Sequence, residues 1–130
     1  MIANDHVIAF HCPPMPQALE PYLGYLFVTS RRHAPSFAEL DLDEAAAMGR
    51  AISKLSAALK GEGAEPVYLA GIGHAVPHLH VHLIPRWPET PKEISWIKVD
   101  EWEGARRGNA EVVREWTIRL RNRLELFDRL

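Results

Sequence analysis

His78-Leu79-His80-Val81-His82-Leu83-Ile84 is the stretch on which the reading of this chain turns. Three histidines alternate with apolar residues. In a β-strand, side chains two apart point to the same face. The pattern therefore puts His78, His80 and His82 on one face and Leu79, Val81 and Leu83 on the other. A helix would scatter the three rings around its axis. Pro77 and Pro85 bracket the run, as expected at strand ends rather than in central pairing. The apolar set can be buried while the imidazoles line a surface or cleft. Three imidazoles sealed in a core would be costly unless each found a partner. Their titration near neutral pH points instead to chemistry or ligation.

Extended back through Gly73-His74-Ala75-Val76-Pro77 and forward through Pro85-Arg86, the run resembles the histidine-triad family. The signature of that family is His-apolar-His-apolar-His-apolar-apolar, often followed by Pro-Arg. The match is complete over the triad, and a looser resemblance runs from about residue 4 to residue 86. The fold expected is α+β: an antiparallel sheet of about five strands, one long helix packed on it, and a C-terminal helix. Residues 1–130 are read as one domain, with a core over 4–86 and an extension over 87–130.

Bulk properties fit that reading. A chain of 130 residues can bury a core of its own. A hydrophobic content of 47% with 25% charged residues is ordinary for a soluble domain. A net charge of −2 gives no general footprint for nucleic acid. The single cysteine, Cys12, excludes an intramolecular disulfide framework and a cysteine-rich zinc site. No stretch approaches a membrane span, and no basic-then-apolar leader opens the sequence. A cytoplasmic location is the default expectation.

Along the chain, Val7 to His11 reads as a strand ended by Pro13-Pro14. Gly24 to Thr29 reads as a second strand, and Ser30-Arg31-Arg32-His33 as a solvated basic turn. Asp41 to Lys60 is the clearest helix. Asp41 and Glu44 form a capping-box pattern, and Met48, Ile52, Leu55 and Leu59 make one apolar stripe. Pro66 to Ala70 reads as a third strand, followed by the short loop Gly71-Ile72-Gly73-His74. Arg86 to Gly108, with Trp87, Pro88, Pro91 and Trp96, has little periodicity, and Ser95 to Val99 is read there as a short strand. A loop of this length is usually functional or mobile, and Trp96 and Trp102 are expected mainly to cover the core. Asn109 caps a closing helix to Phe127, striped by Val113, Trp116, Leu120, Leu124 and Phe127. Arg114, Arg119, Arg121 and Arg123 are read as its solvated face, not as a nucleic-acid surface.

The resemblance assigns roles. His80, the middle histidine, would be the nucleophile on the α-phosphorus of a nucleotide, giving a nucleotidyl-histidine intermediate that water or another acceptor resolves. His82 would contact the same phosphate and help protonate the leaving group, and His78 would orient the cluster. A nucleophilic imidazole suits this chemistry, because it divides one difficult step into two. Gly73, His74 and Val76 would bring backbone donors to the phosphate, with Arg86 either at its edge or simply a surface residue. Tyr25 stands where the family often has a histidine. Cys12, or His11 if the register slips, stands where the family often has a ribose-binding Asp or Asn, and Ala75 where it often has Ser or Thr. The function expected is a hydrolase or nucleotidyltransferase cleaving a dinucleoside polyphosphate or a nucleoside phosphoramidate. It would need no cofactor or metal, and the resemblance implies a homodimer. Two other classes stay open: a nucleotide-binding module without catalysis, and a zinc-dependent hydrolase using the histidines as ligands.

Overall fold

The computed structural model describes residues 2–73 and 76–128, with the side chains of 127 and 128 left aside. Five strands form one antiparallel sheet: β1 (Ile2–Ala3), β2 (Val7–His11), β3 (Leu26–Ser30), β4 (Val67–Gly71) and β5 (His80–Pro85). Their order is β1-β2-β3-β5-β4, so β5 is an inner strand between β3 and β4. Helices α1 (Leu42–Gly61) and α2 (Ala110–Asp128) complete the expected α+β architecture.

Helix α1 starts where its chemistry says it should. The Asp41 carboxylate accepts from the Glu44 amide at 2.8 Å, and Glu44 reaches back to the Asp41 amide. Met48, Leu55 and Leu59 of its stripe are buried, and Ile52 packs at the margin. They meet Val28, Val81 and Leu83 of the sheet in one core. Asn109 caps α2 by accepting from the Val112 amide at 3.1 Å. Trp116 and Leu120 carry the buried face of that helix, whereas the Phe127 side chain falls outside the described residues. The arginines of α2 stay largely solvated, and two of them also make ion pairs. Arg123 bonds Glu62 at 2.7 Å, and Arg119 lies 3.7 Å from the same carboxylate, tying α2 to the end of α1.

Several sequence expectations are corrected. Strand β3 starts at Leu26, not Gly24, because Gly24 is a turn residue with φ +85°. A Cβ there would come within 2.8 Å of the Trp87 ring, so both conformation and space require glycine. Ser95–Val99 contains a single 3₁₀ turn, Trp96–Lys98, and no strand. Its exposure does not alternate: Trp96 and Ile97 are both exposed and only Val99 is buried. Trp96 leans on Tyr68 instead of covering the core. The long segment after β5 is also firmly held. Trp87 is buried and donates to the Leu23 carbonyl at 3.0 Å. Arg106 pairs with Glu89 and lies over the Trp87 ring.

Candidate active site

The sheet has two faces. Val81 and Leu83 of β5, with Val28 of β3, point into the core. His80 and His82 point the other way, into the open side. The register sets Phe27 opposite His82, Thr29 opposite His80 and Phe10 opposite Phe27. Phe27 meets both imidazoles edge-on, with ring centroids 6.0 Å from His80 and 4.7 Å from His82.

Strand β5 begins at His80, so alternation alone carries only two of the three histidines. His78 precedes the strand and is held by its ring. Its Nε2–H donates to the Ser30 carbonyl at 3.3 Å, which leaves Nδ1 to accept from His33 Nδ1–H at 3.1 Å. The rings of His78 and His80 then lie 5.3 Å apart. His33 is thus drawn into the cluster, although the basic turn around it reads as solvent-facing in sequence. Its neighbour Arg32 pairs with the buried Glu44 at the start of α1 at 2.9 Å.

Each cleft histidine has a defined partner on Nδ1. His80 Nδ1–H donates to the His78 carbonyl at 2.8 Å. A carbonyl can only accept, so Nδ1 carries a proton, and in the neutral ring Nε2 keeps its lone pair. His82 Nδ1 is 2.8 Å from the Tyr25 hydroxyl. Burial, and then the neighbouring His80, lowers the pKa of His82 below the usual imidazole value. Burial raises the Tyr25 phenol, with Asp100 adding to it.

Two clefts share His82. The first, of about 480 Å³, is lined by Phe10, Phe27, Ile72, Gly73, Val76 and His80 among others. Its wall is chiefly apolar, apart from the imidazoles. Gly73 adopts φ +59°, the left-handed turn conformation that brings backbone close to a cleft. The second cleft, of about 570 Å³, lies on the Tyr25 side. Cys12, Tyr22, Tyr25, Asp100 and Arg107 are among its lining residues. Burial, and secondarily Asp100, pushes the Cys12 thiol up to about 11, so it stands as a neutral thiol.

Two expected site residues lie elsewhere. His11 falls on the helix side of β2, beside Ala9, Leu55 and Leu120. Its Nδ1–H donates to the Cys12 carbonyl and its Nε2 accepts from the Gly24 amide, both at 2.9 Å. Both ring nitrogens thus serve the turn into β3, and burial lowers its pKa. Arg86 lies beyond the far end of β5, roughly 20 Å along the strand from His80. Its guanidinium donates to the Ile94 and Pro91 carbonyls and to the Tyr68 hydroxyl, fastening the following segment. His74 and Ala75 lie outside the described residues. Phe10, Phe27, Met15 and Asp100 are cleft residues that the sequence did not single out; a period-two count from Tyr25 reaches Phe27, whereas Phe10 joins it only through the register of β2 with β3.

Among the described residues, no group of three or more His, Cys, Asp or Glu side chains is placed to hold a metal ion. No described helix is long and apolar enough to cross a membrane.

Solved structures share this fold. A hypothetical histidine triad nucleotide-binding protein from Sulfolobus tokodaii is 20% identical, with a TM-score of 0.69 over 98% of this chain and 84% of that one. A Hit-like protein involved in cell-cycle regulation from Bartonella henselae is 21% identical, with a TM-score of 0.68 over 94% and 83%. A histidine triad protein from Bradyrhizobium japonicum is 23% identical, with a TM-score of 0.64 over 92% of each chain. At these identities the likeness is one of fold. No curated protein matches the chain in sequence. The HIT-domain profile, however, matches residues 3–89, and on that ground the chain belongs to the HIT-domain family.

Proposed function

We propose that the protein binds a nucleoside phosphate in the apolar cleft and cleaves it at the α-phosphorus through a nucleotidyl-histidine intermediate on His80. One observation carries this reading. In the neutral ring, the bond from His80 Nδ1–H to the His78 carbonyl places the lone pair on Nε2, on a ring that lines the cleft. That is the state an imidazole nucleophile needs before attack. Phe10, Phe27, Ile72 and Val76 offer apolar surface for a base. The name of the Sulfolobus tokodaii relative, a nucleotide-binding protein, agrees with such an occupant.

In the first step the Nε2–phosphorus bond forms and the bond to the leaving group breaks, its electron pair departing with that group. The ring becomes a phosphorylated imidazolium whose Nδ1–H stays on the His78 carbonyl. That carbonyl dipole stabilises the positive charge as it develops. His78 is itself steadied by Ser30 and His33. His82 faces the same cleft and donates to a phosphate oxygen. In the second step water attacks phosphorus, releases the nucleoside monophosphate and restores neutral His80 with loss of one proton to solvent.

A second reading, nucleotide binding without turnover, draws on Cys12. A neutral thiol is a poor acceptor for ribose hydroxyls, which weakens one usual hold on a substrate. Turnover of a nucleotide panel by wild type and His80→Ala decides between the two. Hydrolysis by wild type that vanishes in His80→Ala supports the enzyme. Binding by both with turnover by neither supports the binding module. Assembly as a homodimer, which belongs to the same reading, is checked by sedimentation equilibrium.

A further inference from the structure

His80 and His82 stand two residues apart on one strand, yet their Nδ1 atoms meet different chemistry. His80 meets a carbonyl, which only accepts. His82 meets a phenol, which can donate or accept. The direction of that second bond follows from its surroundings. Burial, then Asp100, keeps the Tyr25 phenol protonated through the neutral range. Burial favours the neutral form of His82. Between a neutral phenol and a neutral imidazole, the nitrogen is the stronger base, so the O–H points to it. His82 Nδ1 is also the hydroxyl's hydrogen-bond partner among the described residues.

We propose that Tyr25 is a positioning residue: its O–H, donated to His82 Nδ1, holds His82 in the tautomer whose Nε2 carries the proton. The two cleft imidazoles then hold opposite tautomers. His80 offers a lone pair and His82 offers an N–H. The assignment of roles rests on the reading of His80 as nucleophile.

This arrangement selects a substrate class. A neutral His82 whose Nδ1 is occupied by a phenol proton lends a hydrogen bond but does not give its proton away. Losing it would leave an imidazolate, or would draw the proton from a phenol whose pKa is already raised. The leaving group must therefore depart as a stable anion. In that step the His80 Nε2–phosphorus bond forms, the phosphorus–oxygen bond breaks with its electron pair on the departing oxygen, and no proton is transferred. A nucleoside polyphosphate or dinucleoside polyphosphate meets this condition. An alkylamine leaving a phosphoramidate does not, because it must gain a proton as it goes.

The test combines ¹⁵N-resolved imidazole NMR of the full chain with rates on two probes, diadenosine triphosphate and the N-butyl phosphoramidate of adenosine monophosphate. Tyr25→Phe keeps the ring beside Phe27, whose centroid lies 5.4 Å away. Wild type should show His82 protonated on Nε2, and Tyr25→Phe should show a mixture of tautomers. Wild type should prefer diadenosine triphosphate, and Tyr25→Phe should slow it by up to about 10²-fold, the lower end for loss of one oriented donor. Wild-type His82 protonated on Nδ1, or a tautomer unchanged in Tyr25→Phe, overturns the assignment. Equal or faster cleavage of the phosphoramidate overturns the substrate class. An inactive wild type with the expected NMR pattern overturns the proposed reaction while supporting the Tyr25 assignment.

Discussion

The two faces of β5 are made from neighbouring residues and do different things. On one face Val81 and Leu83 are 4% and 0% exposed and lock the sheet to the helices. On the other, His80 and His82 are half-buried, ringed by Phe27 and bordered by two clefts. Strand alternation separates stability from chemistry over a single Cα step, about 3.3 Å. Substitutions on one face should therefore leave the other face's property nearly unchanged.

The largest expected effect is on the cleft face. His80→Ala should abolish nucleotide turnover while nucleotide affinity and melting temperature stay close to wild type. Unfolding of this variant, seen by calorimetry, would break the separation of the two faces. Next comes His82→Ala. It removes a donor and not the nucleophile, so single-turnover rates should fall by about 10²–10³-fold without vanishing.

The core face should answer in the opposite currency. Leu83→Ala removes a fully buried side chain that touches β3, β4 and α1 territory, and should cost about 2–5 kcal/mol by chemical denaturation. The rate per folded molecule should change little. A large loss of rate in protein that is still folded would show that the two faces are coupled.

The smallest effect is a pH dependence of stability centred on His11. Its folded pKa is lowered by burial, and its Nε2 must stay unprotonated to accept from Gly24. The unfolded chain, with an ordinary imidazole near 6.5, binds the proton more readily. Stability should hold above that value and fall as pH drops through 6.5 toward the lower folded pKa. His82, lowered in the same sense, contributes in the same direction. His11→Gln should flatten the acid limb measured by urea titration at several pH values.

The triad face was legible because alternation is a local property. His80, His82, Val81 and Leu83 needed only period two to be placed. Helix α1 was equally readable, since its cap, stripe and stop all lie within its own sequence. What was not legible depended on distant pairings. His33 looks like part of a solvated turn until the fold brings it 3.1 Å from His78, 45 residues away. His11 looks like a site residue until the sheet shows that odd positions of β2 face the helices. Arg86 sits next to the signature, yet its partners are carbonyls of a loop whose path no periodicity announces. The bond from Tyr25 to His82 spans 57 residues and exists only because β3 and β5 pair.

The central claim is that His80 Nε2 becomes bonded to phosphorus. Rapid alkaline quench of wild type with a nucleotide labelled at the α-phosphorus, followed by peptide mapping at alkaline pH, tests it most directly. The account predicts base-stable, acid-labile label on the peptide holding residues 78–84, localised to His80, and none on His80→Ala. Label absent from wild type under single-turnover conditions in which product still forms, or label that persists on His80→Ala, would contradict it.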